Sequence, residues 1–216
     1  MLLLGHRGAR CYAPENTIAA FDLALEHGCD GFEFDVRKTA DGHAVVCHDP
    51  QCRRLNVASS RFEALLAFNP ALTSLERVLR DYTTRAFLYI ELKVPGLAEP
   101  LVNLLHTHSP QKGYVVASFS VDTLREVHAR APEVPLGLIA DTKRDLAHWT
   151  ELPLGFVMPQ DRLVSSDLLE ELHDAGKRVF VWTVNTENRM RALADLGVDG
   201  IVSDDTALLG RVFRRK

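Results

Sequence analysis

Eight short apolar runs recur along this chain, at residues 2–5, 31–36, 87–92, 114–117, 136–139, 156–158, 178–183 and 200–202. Most are separated by stretches with helical periodicity, at residues 16–27, 97–108, 121–131, 166–175 and 186–196. Several of these stretches stop at a glycine just before the next apolar run, as in His27-Gly28, Ala175-Gly176 and Leu196-Gly197. Eight strand-helix alternations with such stops describe a (β/α)8 TIM barrel, an α/β fold that commonly occupies 200 to 250 residues. At 216 residues and 46% hydrophobic content, the chain is expected to be one such domain over residues 1–216.

The run at residues 44–48 does not fit the count. Only residues 37–43 separate it from Val36, too few for a crossover helix, and Asp41-Gly42 is a hairpin turn signal. The spacing predicts a β-hairpin after strand 2 that folds back antiparallel over the barrel mouth. Its two arms are nearly equal in length, which returns His48 to about the level of Asp35. Residues 50–86 are the least regular part, with short helices expected at residues 61–67 and 74–80.

In such a barrel the active site lies where strands end and the following loops begin. His6 and Arg7 follow the first strand, Glu33 and Asp35 end the second, Glu91 and Lys93 the third, Ser118 the fourth, and Trp182 to Asn185 the seventh. Every one of these polar groups falls on one face of the barrel. A period of two puts Glu33 and Asp35 on the same side of an otherwise apolar strand, where two carboxylates repel unless a cation lies between them. With Glu91 they form an all-oxygen set suited to one divalent cation, Mg2+ or Ca2+, with Mn2+ as an alternative. A salt bridge to Lys93, two residues on, is the other reading of Glu91. Arg7 is expected to bind phosphate oxygens in bidentate fashion, Lys93 to meet phosphate or carboxylate, and Trp182 to shape the substrate pocket. Glu15 is expected either to orient its neighbours or to cap the following helix, and Asp49 to fix the loop of His48. His6 and His48 lie beside carboxylates at the mouth and form the candidate acid-base pair.

These residues carry a resemblance. The order His6-Arg7-Gly8, Pro14-Glu15-Asn16-Thr17, Glu33-x-Asp35-Val36, Thr39-x-Asp41-Gly42 and His48-Asp49 resembles the glycerophosphodiester phosphodiesterase family. Glu91-Leu92-Lys93, Ser118-Phe119, Trp182-Thr183-Val184-Asn185 and the run from Gly197 to Asp204 extend it over nearly the whole chain. The resemblance implies metal-dependent hydrolysis of glycerophosphodiesters to sn-glycerol 3-phosphate and an alcohol. It implies His6 and His48 as the acid-base pair, Glu91 as a metal ligand, and Asp204 as an orienting residue, a role in which Ser118 and Asn185 are grouped with it. The nucleophile is either the tethered glycerol 2-hydroxyl or a water activated by the metal. After His48-Asp49 the chain departs from the usual pattern, reading Pro50-Gln51-Cys52-Arg53-Arg54-Leu55-Asn56, and the segment before Glu91 is short. A thinner rim and a more open site follow. The rival enzyme reading is a lysophospholipase D acting on a longer lipid; the rival from another class is a binding barrel without catalysis.

A net charge of -4 with scattered Lys and Arg gives no nucleic-acid footprint, so the expected partner is a small glycerophosphodiester. Met1-Leu2-Leu3-Leu4 is too brief for a signal peptide or a membrane span, which leads to a soluble, cytoplasmic expectation; the oligomeric state is left open. Residues 211–216 read as a solvated basic tail. Cys11, Cys29, Cys47 and Cys52 lack metal-site spacing and read as free thiols, with Cys47 pointed away from His48 into packing.

Overall fold

The computed structural model describes residues 1–213. Its strands are β1 (Leu2–Gly5), β2 (Gly31–Lys38), β3 (Ala44–Val46), β4 (Gln51–Cys52), β5 (Leu55–Asn56), β6 (Thr73–Ser74), β7 (Phe87–Leu92), β8 (Tyr114–Ser118), β9 (Leu136–Ala140), β10 (Phe156–Pro159), β11 (Arg178–Val181) and β12 (Gly200–Ser203). Eight of them, β1, β2 and β7 to β12, pair in parallel, and β1 pairs with both β2 and β12, so the sheet closes into the expected barrel. The helices are α1 (Ile18–Glu26), α2 (Phe62–Phe68), α3 (Leu75–Tyr82), α4 (Ala98–Thr107), α5 (Val121–Arg130), α6 (Lys143–Leu146), α7 (Ser166–Asp174), α8 (Glu187–Leu196) and α9 (Thr206–Phe213).

Alternation along the strands divides the core in two. Phe32, Phe34 and Val36 of β2 and Leu88, Ile90 and Leu92 of β7 face outward and pack with residues of the helical layer such as Phe21, Leu79 and Leu101. The opposite parity faces inward, where Leu4, Phe87, Tyr89, Val115, Ile139, Phe156, Met158 and Phe180 fill the barrel as a plug of side chains. Glu33, Asp35 and Glu91 share that inward parity at the upper ends of their strands. Packing below therefore sets the floor of the site above.

The hairpin forms as the spacing predicts. β3 runs antiparallel to β2 with Val36 opposite Val46, and the Cys47 amide donates to the Asp35 carbonyl at 2.9 Å. Three local features differ from expectation. β11 ends at Val181, and Trp182 beyond it forms an isolated parallel bridge with Gln160 while donating its indole N–H to the Met158 carbonyl at 2.8 Å. The single helical turn α6, followed by a 3-10 turn over Ala147–Thr150, is too short to imprint a period on the sequence. α9 takes in Arg211, read from sequence as tail; residues 214–216 lie outside the described residues. Gly210 masks this helix by lowering its propensity, yet it is needed there, since a Cβ would stand 1.9 Å from the His27 carbonyl oxygen.

Candidate active site

β2 and β7 are paired so that Glu33 lies beside Tyr89 and Asp35 beside Glu91. This register gathers the inward carboxylates into one cluster, in which Glu33, Asp35 and Glu91 each offer an oxygen within 4.8 Å of the others. All three are buried. Burial, then the charges of Asp35 and Glu91, push the Glu33 carboxyl well above its ordinary range. Burial and Asp35 push Glu91 up to about 7, against the pull of Lys93 and Arg7. Glu33 Oε1 and Asp35 Oδ1 are buried without any hydrogen-bond partner. Orphaned oxygens are costly, and two of them in one carboxylate cluster are the signature of a site that a hard cation completes. The residues present therefore fit one divalent ion.

Cations of the chain surround the cluster. Lys93 Nζ lies 2.6 Å from Glu91 Oε1 and 3.5 Å from Asp35 Oδ1, so the Glu91–Lys93 pair weighed from sequence is present. Arg7 Nε lies 3.3 Å from Asp35 Oδ2, and its backbone N–H donates to Glu33 Oε2 at 2.9 Å. Arg7 makes that bond from a left-handed backbone at φ 53°, unusual for arginine. Burial opposes the charges on Arg7 and Lys93, but the carboxylates around them prevail and keep both protonated.

Each candidate histidine is braced by an aspartate. His6 Nδ1 lies 2.6 Å from Asp204 Oδ1, and His48 Nδ1 lies 2.8 Å from Asp49 Oδ1. Burial raises Asp204, but the bonds from His6 and Asn185 outweigh it and hold it below the ordinary range; the His48 bond does the same for Asp49. Both are carboxylates, which only accept, so each imidazole carries its hydrogen on Nδ1 and leaves Nε2 for proton traffic. Asn185 in turn grips Asp204, donating to Oδ2 at 2.7 Å and accepting from the Asp204 amide at 2.9 Å. Arg37 Nε donates to the His48 carbonyl at 2.7 Å and fixes the hairpin end.

His6, Arg7, Glu33, His48, Glu91, Lys93 and Trp182 line one pocket of about 150 Å3 at the mouth, floored by apolar barrel residues. Glu15 does not cap α1, because Thr17 Oγ1 takes that place by accepting from the Ala20 amide. Instead Glu15 accepts from Arg7 Nη1 at 3.0 Å. Ser118 is buried beneath the pocket, where it donates to the Leu92 carbonyl and accepts from the Ser120 amide, bracing the loop that carries Phe119. Cys47 packs with Cys52 and Leu55, and burial pushes its thiol up to about 11, unsuited to a nucleophile.

Sequence reasoning missed three contributors. Phe119 stacks edge-on against Trp182 and closes the pocket wall; the Ser118-Phe119 motif was its signal. Arg10 joins Glu15 Oε2 at 3.0 Å to Asp204 Oδ1 at 3.6 Å, so one guanidinium links the partner of Arg7 to the partner of His6. Asn16 donates to Asp35 Oδ2 at 2.8 Å and accepts from the Asp35 amide at 3.3 Å. It stands at φ 59°, a conformation asparagine tolerates, and its signals were its place just before the N-cap and within Pro14-Glu15-Asn16-Thr17. Asn16→Gly keeps that conformation available and removes only the amide. It is expected to weaken divalent-ion affinity on the order of 10- to 100-fold, measured by calorimetry.

Fold and site together define a TIM-barrel phosphodiester hydrolase whose mouth carries a carboxylate cluster able to hold a divalent cation. Within that class the chain belongs to the glycerophosphoryl diester phosphodiesterase family, whose model matches residues 6–94 and 97–208. It is 29% identical to a glycerophosphodiester phosphodiesterase of Caldanaerobacter subterraneus subsp. tengcongensis over 99% of this chain and 98% of that protein. A crystal structure of a glycerophosphodiester phosphodiesterase from Agrobacterium tumefaciens superposes with a TM-score of 0.85 at 26% identity, over 98% of each chain. An Oleispira antarctica phosphodiesterase in complex with the product sn-glycerol-3-phosphate shares the fold, with a TM-score of 0.84 at 23% identity over 98% of this chain and 96% of that one. Among the described residues no helix is long and apolar enough to cross a membrane.

Proposed function

We propose that this chain hydrolyses glycerophosphodiesters to sn-glycerol 3-phosphate and an alcohol as a single-domain, divalent-metal-dependent enzyme, with His6 and His48 as its acid-base pair. The observation that carries the reading is the buried cluster of Glu33, Asp35 and Glu91, two of whose oxygens lack a hydrogen-bond partner, with Glu33 and Glu91 lining one pocket together with Arg7, Lys93 and both histidines. Glu33, Asp35 and Glu91 would hold the ion, which when bound polarises the phosphoryl oxygens. Arg7, held by Glu15, meets the non-bridging oxygens with its fork of donors, and Lys93 adds a second positive charge where the transition state gains negative charge. Phe119 and Trp182 form the wall against which the three-carbon chain lies. One histidine Nε2 removes the proton of the attacking hydroxyl and the other protonates the departing oxygen. The substrate is a small soluble diester: of the exposed large apolar side chains among the described residues, Met1, Tyr12, Phe68, Phe119 and Leu196, only Phe119 lines the mouth pocket. The four cysteines are free thiols, which supports a cytoplasmic setting. The test is release of glycerol, ethanolamine or choline from the matching glycerophosphodiesters, with and without added metal; no release of any alcohol in the presence of Mg2+, Ca2+ or Mn2+ would overturn the proposal.

The raised carboxyls predict how metal and pH interact. In the metal-free fold Glu91 keeps its proton up to about pH 7, whereas an unfolded glutamate loses it near pH 4.3, so this group's contribution to stability is lost as pH rises through that window. An ion that replaces the proton binds more tightly once the carboxyl is ionised. The rise in Tm on adding Mg2+ or Ca2+ is therefore expected to be larger at pH 8 than at pH 5.5. An equal rise at both would remove Glu91 as a ligand.

A further inference from the structure

Beside the mouth pocket lies a second cavity of about 180 Å3, between the loop carrying Glu15, the chain from β3 into β4, and the turn at residues 69–72. Among the described residues the two cavities share a single side chain, that of His48. We infer that this second cavity is the subsite for the departing alcohol, and that it favours a neutral hydroxylated alcohol, glycerol or a larger polyol, over a trimethylammonium alcohol. The inference rests on the phosphodiesterase reading above and adds to it the place and chemistry of the leaving group.

A phosphodiester has two ester arms that diverge from phosphorus. The mouth pocket holds the phosphate-binding side chains of Arg7 and Lys93, the carboxylates of Glu33 and Glu91, and a wall of Phe119 and Trp182 for one arm. The other arm needs room on a different side, and the second cavity supplies it. At about 30 Å3 per water it has the space of roughly six waters, enough for a three-carbon alcohol. When the bond from phosphorus to the leaving oxygen breaks, the electron pair stays on oxygen and a proton must arrive there. His48 stands on the boundary with Nδ1 committed to Asp49, so its Nε2 is the donor next to an arm that crosses into this cavity. His6 lies elsewhere, between Asp204 and Glu33. His48 is thereby the acid and His6 the base.

The walls choose the alcohol. Quaternary ammonium groups are recognised by aromatic faces, and among the described residues no Phe, Tyr or Trp lines this cavity. Its carboxylates are already paired, Glu15 with Arg7 and Arg10, and Asp49 with His48. What remains are the amides of Asn69 and Gln51, each able to donate to and accept from hydroxyls, and the guanidinium of Arg53, which donates to hydroxyls and repels a cationic alcohol. Ala71, on the cavity wall and outside the mouth pocket, is the position from which the space can be filled.

The experiment compares kcat/KM for three esters of sn-glycerol 3-phosphate, those of glycerol, choline and methanol, in the wild type and in Ala71→Leu, which fills space without adding an aromatic face. The wild type is expected to prefer the glycerol ester over the choline ester by about tenfold, the worth of one or two net hydrogen bonds. Ala71→Leu should erase that preference while leaving the methyl ester, which has no arm to place, unchanged. Where this variant also loses the methyl ester through misfolding, Asn69→Ala takes its place with the same expected pattern. Equal wild-type rates for the glycerol and choline esters, or a folded variant that lowers all three esters alike, would overturn the subsite. A wild type that cleaves none of the three with metal present would instead overturn the phosphodiesterase reading itself.

Discussion

Chelation is expected to abolish turnover, and Mg2+, Ca2+ or Mn2+ to restore it. The ligands on offer are oxygens alone: Arg7 reaches Asp35 Oδ2 and Lys93 stands 3.5 Å from Asp35 Oδ1, yet Glu33 Oε1 and Asp35 Oδ1 have no hydrogen-bond partner. A cation acting on the phosphoryl oxygens is worth several kcal/mol, and at 1.36 kcal/mol per decade its loss costs on the order of 10^3-fold or more. Glu33→Gln gives the same hypothesis a finer edge. Glu33 Oε2 accepts the Arg7 backbone N–H, so a glutamine keeps its carbonyl oxygen there and turns its NH2 toward the other carboxylates. The variant should lose both metal affinity and rate. In the metal-free state near neutral pH it should melt higher than the wild type, because folding no longer has to neutralise a carboxyl that burial, Asp35 and Glu91 hold protonated. Full activity in protein shown by elemental analysis to be metal-free would remove the metal hypothesis, and an unchanged metal affinity in Glu33→Gln would show that this glutamate is not a ligand.

The barrel was legible because its grammar is local. Alternating apolar runs and glycine-stopped helices repeat along the chain, and Gly28, Gly176 and Gly197 all take the positive φ that their positions imply. Parity alone put Glu33 and Asp35 on one face, and equal hairpin arms put His48 near Asp35. What stayed hidden depends on register and on distant partners. That Asp35 neighbours Glu91 follows from the β2–β7 pairing, which 50 or so intervening residues do not specify locally. Arg10 looks like any loop arginine until chain reversal brings Glu15 and Asp204 to it from opposite sides. Asn16 stood within a recognised motif, but its two-point hold on Asp35 needs a left-handed backbone that sequence does not announce. The helix α9 was hidden because the residue that lets it approach α1, Gly210, is the one that weakens its helical pattern.

Replacing His6 or His48 singly by alanine is expected to cost roughly 10^2 to 10^4 in rate, the usual worth of one positioned acid or base. Folding should survive, since both side chains line the mouth pocket above the barrel core and their partners Asp204 and Asp49 keep access to water. If the pair acts as one unit, the double variant should be scarcely slower than the poorer single variant, because groups that work together are strongly non-additive. The division of labour is read with a nitrophenyl ester of sn-glycerol 3-phosphate, whose leaving group departs without a proton. The variant lacking the acid is rescued by that substrate and the variant lacking the base is not. The shared cavity wall at His48 makes His48→Ala the variant expected to recover, while His6→Ala stays slow. Recovery of His6→Ala alone would exchange the two roles and remove the alcohol from the cavity beside His48. Equal recovery of both, or of neither, would sink the division itself, and a His48→Ala enzyme with normal rate on the glycerol ester would show that the hairpin does not carry a catalytic group into the site.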